Sequence, residues 1–241
     1  MTNEPRKRGY AKGAARRESI VDIATREFAR HGYQSATIRD IAAACGISRA
    51  GLLHHFDGKA SLLREVLDRR DETDAAPLYR YAKEHGAIGY IRGFIALVER
   101  NQRSRGMVEL YVRLSSEAHQ PTHPAHEFFV HRYERLRSKI IAVIDECQAE
   151  GIVRTDLPAK DAAIHLVALM DGLQTQWLLD ESVDMAAQIR HVLDHWLTDR
   201  GRRALADVEC GPTVYDIGTE VGVECGLTSE PGAPPAADDV A

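Results

Sequence analysis

The chain has 241 residues, 44% apolar and 28% charged. That is the make-up of a globular protein of one or two domains, taking about 150 residues for each, and it excludes a wholly disordered chain. No run approaches the roughly 18 apolar residues of a membrane span, because the stretch from Ala87 to Val98 is broken by Arg92. The opening MTNEPRKRGYAKGAARR has no apolar segment behind its charges, so it does not read as a secretory signal. Cys45, Cys147, Cys210 and Cys225 form no Cys-x-x-Cys pair. Neither a zinc cage nor a disulfide framework is indicated, and a reducing, cytoplasmic setting fits.

The net charge of −5 is unevenly spread. Residues 1–59 carry 11 Lys and Arg against 6 Asp and Glu, residues 60–205 carry 20 against 22, and residues 206–241 carry none against 8. A basic head, a near-neutral body and an acidic tail are thus three different electrostatic objects, and the tail hides the head in the average.

In chain order, residues 1–15 form a basic arm with Arg6, Lys7, Arg8 and Lys12 and no apolar periodicity, expected to be flexible. Ile20, Ile23, Ala24 and Phe28 fall on one stripe of a helix over 16–31, which Gly32 can end in a left-handed turn. Thr37 then caps a short helix with Ile38, Ile41 and Ala42 on its inner side, and Asp40 completes a capping-box-like pair. Gly46 supplies a turn. Ser48 caps a second short helix, SRAGLLHHF, with Leu52 and Phe56 inward. Two capped helices joined by a glycine-containing turn have the geometry of a helix-turn-helix.

Beyond residue 58 the pattern is helical in long pieces. Helices are expected over 59–82, 86–102, 107–118 and 125–150, with Pro121 and Pro124 breaking the chain before the last of these. Two more are expected over 158–180 and 184–203. Residues 206–241 read as a mostly disordered tail, with a weak alternation over 213–223 interrupted by glycines. Strand signals are otherwise nearly absent, so the fold class is all-α.

Within the block from Thr25 to Leu67, Gly32-Tyr33, Thr37, Ile41-Ala42, Gly46-Ile47-Ser48, His55-Phe56, Lys59 and Leu62-Leu63 fall at fixed spacing. With these residues the block closely resembles the N-terminal DNA-binding domain of the TetR family of transcriptional repressors. It implies a three-helix helix-turn-helix domain over 16–58 and a larger helical ligand-binding and dimerisation domain over 59–205. The partners implied are double-stranded DNA, a small-molecule effector and a second copy of the chain. No cofactor, metal or membrane is implied.

The residues themselves support a DNA-facing surface. Ser48, Arg49, Ala50 and Gly51 present small side chains and one arginine, which suits close approach to a major groove and a bidentate contact to guanine. Thr37 and Arg39 open the preceding helix beside its free amides. His54, His55 and Lys59 are placed for the opposite phosphate backbone, and the basic arm for phosphates or a minor groove. Two positions depart from the family pattern. Leu53 replaces a tyrosine that gives a hydroxyl contact to phosphate, and it suits a thymine methyl instead. Gly51 replaces a threonine or serine at about 1 kcal/mol of helix propensity.

Phe94, Met107, Tyr111, His165, Met170 and Trp177 are the candidate effector-pocket residues, being apolar, aromatic or polar groups of the kind that line ligand sites. Ile164, Val167, Leu173, Val192 and Trp196 are the candidate dimer-interface residues, on two helices that can supply half of a four-helix interface. The histidines His119, His123, His126 and His131 offer metal-like spacing, but in an irregular linker without a carboxylate or cysteine cluster. The alternative reading, whose motive is Leu53 in place of the tyrosine, is a small-molecule or metal-sensing module with weak or lost sequence-specific DNA binding. No paired carboxylates, nucleophile elbow or phosphate loop points to an enzyme.

Overall fold

The computed structural model describes residues 5–210. Among them the chain forms nine helices: α1 (Pro5–Ser35), α2 (Ile38–Ala44), α3 (Arg49–Leu53), α4 (Lys59–Asn101), α5 (Arg105–Glu117), α6 (His126–Ala149), α7 (Ala159–Leu179), α8 (Met185–Trp196) and α9 (Asp199–Cys210). Apart from a single bridge between Val153 and Leu197, no strand pairing occurs among the described residues. The all-α expectation holds.

Two hydrophobic cores organise the molecule. The head core joins Ile20, Ala24 and Phe28 of α1 to Ile41, Leu52 and Phe56 of the helix-turn-helix. It does not stop at residue 58, because Leu62, Leu63, Val66 and Leu67 of α4 and Leu110, Tyr111 and Leu114 of α5 belong to it. The body core is built from the second part of α4 with α6, α7 and α8, around Ile95, Val98, Ile144, Leu166, Met170 and Ile189.

Helix α4 serves both cores because it doubles back. Gly86 takes φ 66° and ψ −148°, a left-handed conformation that only glycine adopts cheaply, and the helix kinks there. The two pieces expected from the sequence, 59–82 and 86–102, are therefore both present, joined at this kink. The second piece returns along the first so closely that a Cβ on Gly93 would lie 2.7 Å from the Leu78 Cα. Pro77 sits inside the first piece and has no N–H to give the Thr73 carbonyl. The Arg100 guanidinium fills that place, donating to Thr73 O at 3.1 Å from the returning piece.

Three boundaries differ from the sequence expectation. Helix α1 starts at Pro5 rather than Arg16, so residues 5–15 of the supposed flexible arm are helical. Proline suits a first helical turn, and the alanines that follow favour continuation. The helix expected over 184–203 is broken. Leu197 is extended (ψ 141°), and Thr198 caps α9 by accepting from Gly201 N at 3.1 Å. The physical reason lies far along the chain: Thr198 N donates to Ile152 O at 2.9 Å and Arg154 N to Trp196 O at 3.0 Å, so the turn after α6 pulls this segment out of helix. Finally, α9 runs through residues 206–210 of the supposed tail. The remaining tail, including the alternation over 213–223, lies outside the described residues.

Ala204, Leu205 and Val208 pack the extra helix α9 on the body core, and charge ties it to α4 and α8. Arg190 donates to Glu99 at 2.7 Å and pairs with Glu209, while Arg92 lies 3.6 Å from both carboxylates.

The close return of α4 gives a direct test. Gly93→Ala places a methyl against the Leu78 backbone and should lower stability by about 1–3 kcal/mol. A urea midpoint equal to that of the unsubstituted protein would contradict the packing described.

Candidate nucleic-acid interface

The helix-turn-helix is built from local hydrogen bonds. The Thr37 hydroxyl accepts from Asp40 N at 3.2 Å and donates to the Asp40 carboxylate at 2.5 Å. Helix α2 closes on Gly46, whose φ of 65° lets Gly46 N reach Ala43 O and Ile47 N reach Ala42 O, both at 3.0 Å. The Ser48 hydroxyl then accepts from Gly51 N at 3.0 Å and starts α3. Leu52 and Phe56 are buried against α1, so the orientation of α3 is set by the core.

The opposite face of α3 is turned outward. Ser48, Arg49, Ala50, Leu53 and His54 are exposed, Gly51 and His55 are half-buried, and Thr37 and Arg39 are exposed at the start of α2. Among the described residues, no hydrogen bond or ion pair engages the Arg39 or Arg49 side chain. His54 and His55 meet edge to face with ring centroids 5.6 Å apart.

Lys59 is placed differently from the sequence expectation. Its ammonium points inward, donating to the carbonyls of Tyr33 (2.7 Å), Gln34 (3.2 Å) and Ala36 (3.1 Å), and it lies 4.3 Å from the centre of the Tyr33 ring. The end of α1 leaves carbonyls without helical partners, and the lysine satisfies them. Burial lowers its pKa from the ordinary value. Arg17, not singled out in the sequence, ties α1 to α4 by pairing with Glu65, with its guanidinium 4.7 Å from the centre of the Phe56 ring.

This outward-facing pair of capped helices coincides with a known sequence signature. Residues 20–66 match the description "Bacterial regulatory proteins, tetR family", and residues 92–201 match "BetI-type transcriptional repressor, C-terminal". The transcriptional repressor AcnR of Corynebacterium diphtheriae is 30% identical over 161 residues, 65% of this chain and 78% of its own length. The chain belongs to the TetR family of transcriptional regulators. A TetR regulator from Haloarcula marismortui shares the fold with a TM-score of 0.67 at 22% identity, over 77% of this chain and 100% of its own. A choline-bound protein from Saccharomonospora viridis has a TM-score of 0.61 at 26% identity, over 76% of this chain and 95% of its own. Curated relatives carry repressor names, so a sensing module without DNA function is not favoured.

The body of this TetR-family protein distributes the remaining sequence candidates unevenly. A cavity of about 980 Å³ opens between α1, α4 and α6, with Arg17, Val21, Asp71, Leu78, Tyr90 and Arg132 in its wall. None of the six expected pocket residues lines it. Met107 lines a smaller cavity of about 290 Å³ beside Asp74 and Arg100. Phe94, Met170 and Trp177 are packed in the body core, and Tyr111 in the head core. His165 faces solvent on the outside of α7. Phe94, Tyr111, Met170 and Trp177 went to core packing, whereas the cavity wall combines Leu78 and Tyr90 with charged residues from α1, α4 and α6.

Charge pairing shapes that wall. Asp71 takes a salt bridge from Arg132, one from Arg135 at 3.1 Å, and the Tyr111 hydroxyl at 3.2 Å. Burial holds the Tyr111 phenol well above its ordinary pKa. Asp68 is raised by desolvation and by its neighbours Asp71 and Glu65.

Of the candidate interface residues, Ile164 is exposed at 53%, and Val167, Val192 and Trp196 are half-buried. Leu173 is a correction: it faces inward and is buried in the body core of the same chain. Leu179, at the end of α7, is 86% exposed. The linker histidines contact nearby backbone. His123 Nδ1 accepts from Ala125 N at 3.2 Å, and a His126 ring nitrogen lies 2.7 Å from Ala118 O.

The inward lysine has a measurable consequence. Lys59→Ala should lower folding stability by about 1.5 kcal/mol, read as a lower urea midpoint. The dependence of DNA affinity on salt should stay the same. A phosphate-contacting lysine would instead reduce the slope of log affinity against log salt by about 0.9 and leave the midpoint in place.

Proposed function

We propose that this TetR-family protein is a homodimeric repressor that binds a near-palindromic operator and leaves it when a small molecule occupies the body. The observation that carries the reading is the outer face of α3, where Arg49, exposed and without a partner among the described residues, stands among small residues on a helix whose other side is locked into the head core. Such a helix can enter a major groove, and an arginine there can take guanine O6 and N7 together.

The dimer in this reading uses the outer face of α7 with α8. Ile164, Ala168, Gly172 and Leu179 are exposed at helical spacing, and a Cβ on Gly172 would meet nothing within 4 Å. A self-complementary face of this kind suits a twofold axis. Two heads so related would address successive major grooves about 34–36 Å apart.

The effector in this reading sits in the cavity between α1, α4 and α6. It is the place where α1 of the head and α6 of the body share a wall, so occupancy bears on the angle between them. A ligand that prefers one head spacing shifts the dimer toward that spacing, by no more than its difference in affinity for the two states. The choline-bound relative and the triclosan complex of SmeT show small molecules in proteins of this fold. No helix of the described residues is long and apolar enough to cross a membrane, and a cytoplasmic protein acting on the chromosome fits the reading.

Selection of bound sequences from random DNA, followed by titration between 50 and 200 mM salt, tests the reading. Enrichment of a twofold-symmetric site with salt-sensitive affinity is expected, and binding without sequence preference would refute it. Arg49→Ala should reduce discrimination at one base pair per half-site by about tenfold. Ile164→Glu should yield monomers in sedimentation and abolish operator binding; a dimer surviving that substitution would move the interface elsewhere.

A further inference from the structure

Leu53 is one of five large apolar side chains exposed among the described residues, and the one that lies in the head. It is 36% exposed, while its neighbour Leu52 is fully buried in the head core. It stands one turn beyond Arg49 and three residues beyond Ala50, on the same outer surface of α3.

Gly51 adds a second observation. A Cβ there would meet only Ser48 Oγ at 3.4 Å and Ile47 Cβ at 3.7 Å, both ordinary contacts, and its backbone is helical. Neither packing nor a positive φ calls for glycine, which costs about 1 kcal/mol relative to alanine inside a helix. Between Arg49 and Leu53, then, α3 is stripped to Ala50 and Gly51. Such a surface lets a helix backbone settle close to the floor of a groove, with the two longer side chains reaching forward.

The chemistry at position 53 narrows what Leu53 can meet there. A leucine can neither donate to nor accept from a phosphate or a base edge, and against a phosphate it would only strip water from the charge. In the major groove the one apolar group presented by the four bases is the C5-methyl of thymine. We propose that Leu53 is a specificity-determining residue that reads a thymine methyl, next to the base taken by Arg49 in the same half-site. This rests on the DNA-reading face assigned to α3 above. One buried methyl group corresponds to about a fourfold change in affinity.

Replacing thymine by deoxyuridine removes only that methyl, and this decides the matter with the full-length protein. Sites are first recovered by selection from random DNA, then each thymine of a half-site is replaced in turn. One replacement should weaken the unsubstituted protein about fourfold and leave Leu53→Ala unaffected, so that the variant binds both DNAs equally. Because Leu53 is partly exposed and Leu52 and Phe56 hold α3 on the core, the variant should still unfold in one cooperative transition, checked by its melting curve. Equal binding of every deoxyuridine site by the unsubstituted protein overturns the proposal. So does a methyl penalty that persists in Leu53→Ala, or a uniform loss across all sequences, which would place Leu53 on the backbone. Failure to enrich any sequence overturns it together with the reading it rests on, a result distinct from enrichment without a methyl effect.

Discussion

One ammonium group joins the elements on which the DNA-facing surface depends. Lys59, the first residue of α4, reaches back to three carbonyls at the end of α1 and covers the Tyr33 ring. It thereby closes a loop that contains the whole of α2 and α3. Those two helices have seven and five residues, too short to persist in water without tertiary support. Their caps define where they start. Burial of Ile41, Leu52 and Phe56 gives them a surface to lie on, and the lysine clamp fixes the distance between the helices on either side of them. The outward direction of Arg49 follows from these three conditions together.

The same helix that begins with this clamp connects the head to the body. The first turns of its first piece lie in the head core, whereas Leu78 near the end of that piece and the whole second piece, beyond the bend at Gly86, lie in the body core. Buried charge registers the two pieces and α5. Arg70 donates to Asp74 at 3.1 Å and to Met107 O at 2.5 Å, with its guanidinium 4.6 Å from the centre of the Tyr111 ring, and Asp74 also receives Arg100 from the returning piece. Such a network is a poor source of net stability, because each charge gives up water. What it does supply is geometry, since removing one partner leaves a buried charge without compensation. Asp74, which also lines the α1–α4–α6 cavity, thus sits where charge fixes the register of α4 on its neighbours.

Much of this was legible in the residues alone, and the reason is distance along the chain. The Thr37 and Ser48 caps, the Gly46 turn and the inward stripe of Ile41, Leu52 and Phe56 rest on contacts within a few residues, or on a periodicity that any amphipathic helix shows. The placements that differed involve partners far apart. Lys59 reads as a surface lysine until α1 brings unsatisfied carbonyls to it from 26 residues away. Thr198 reads as mid-helix until the turn after α6 pairs with it from 46 residues away. Leu173 and His165 sit on a helix apolar on nearly every side, where the pattern gives no direction and the packing of neighbouring helices decides which face is covered.

By itself, then, the amino-acid sequence determined the helical class, the capped helix-turn-helix and the outward arginine, because short-range hydrogen bonds and helical periodicity are written in neighbouring residues. Tertiary structure decided the inward lysine, the charged cavity between head and body, the break before α9 and the exposed apolar line along α7. Each of those depends on which distant segment arrives to satisfy a carbonyl, pair a charge or cover an apolar face, and no local pattern encodes that arrival.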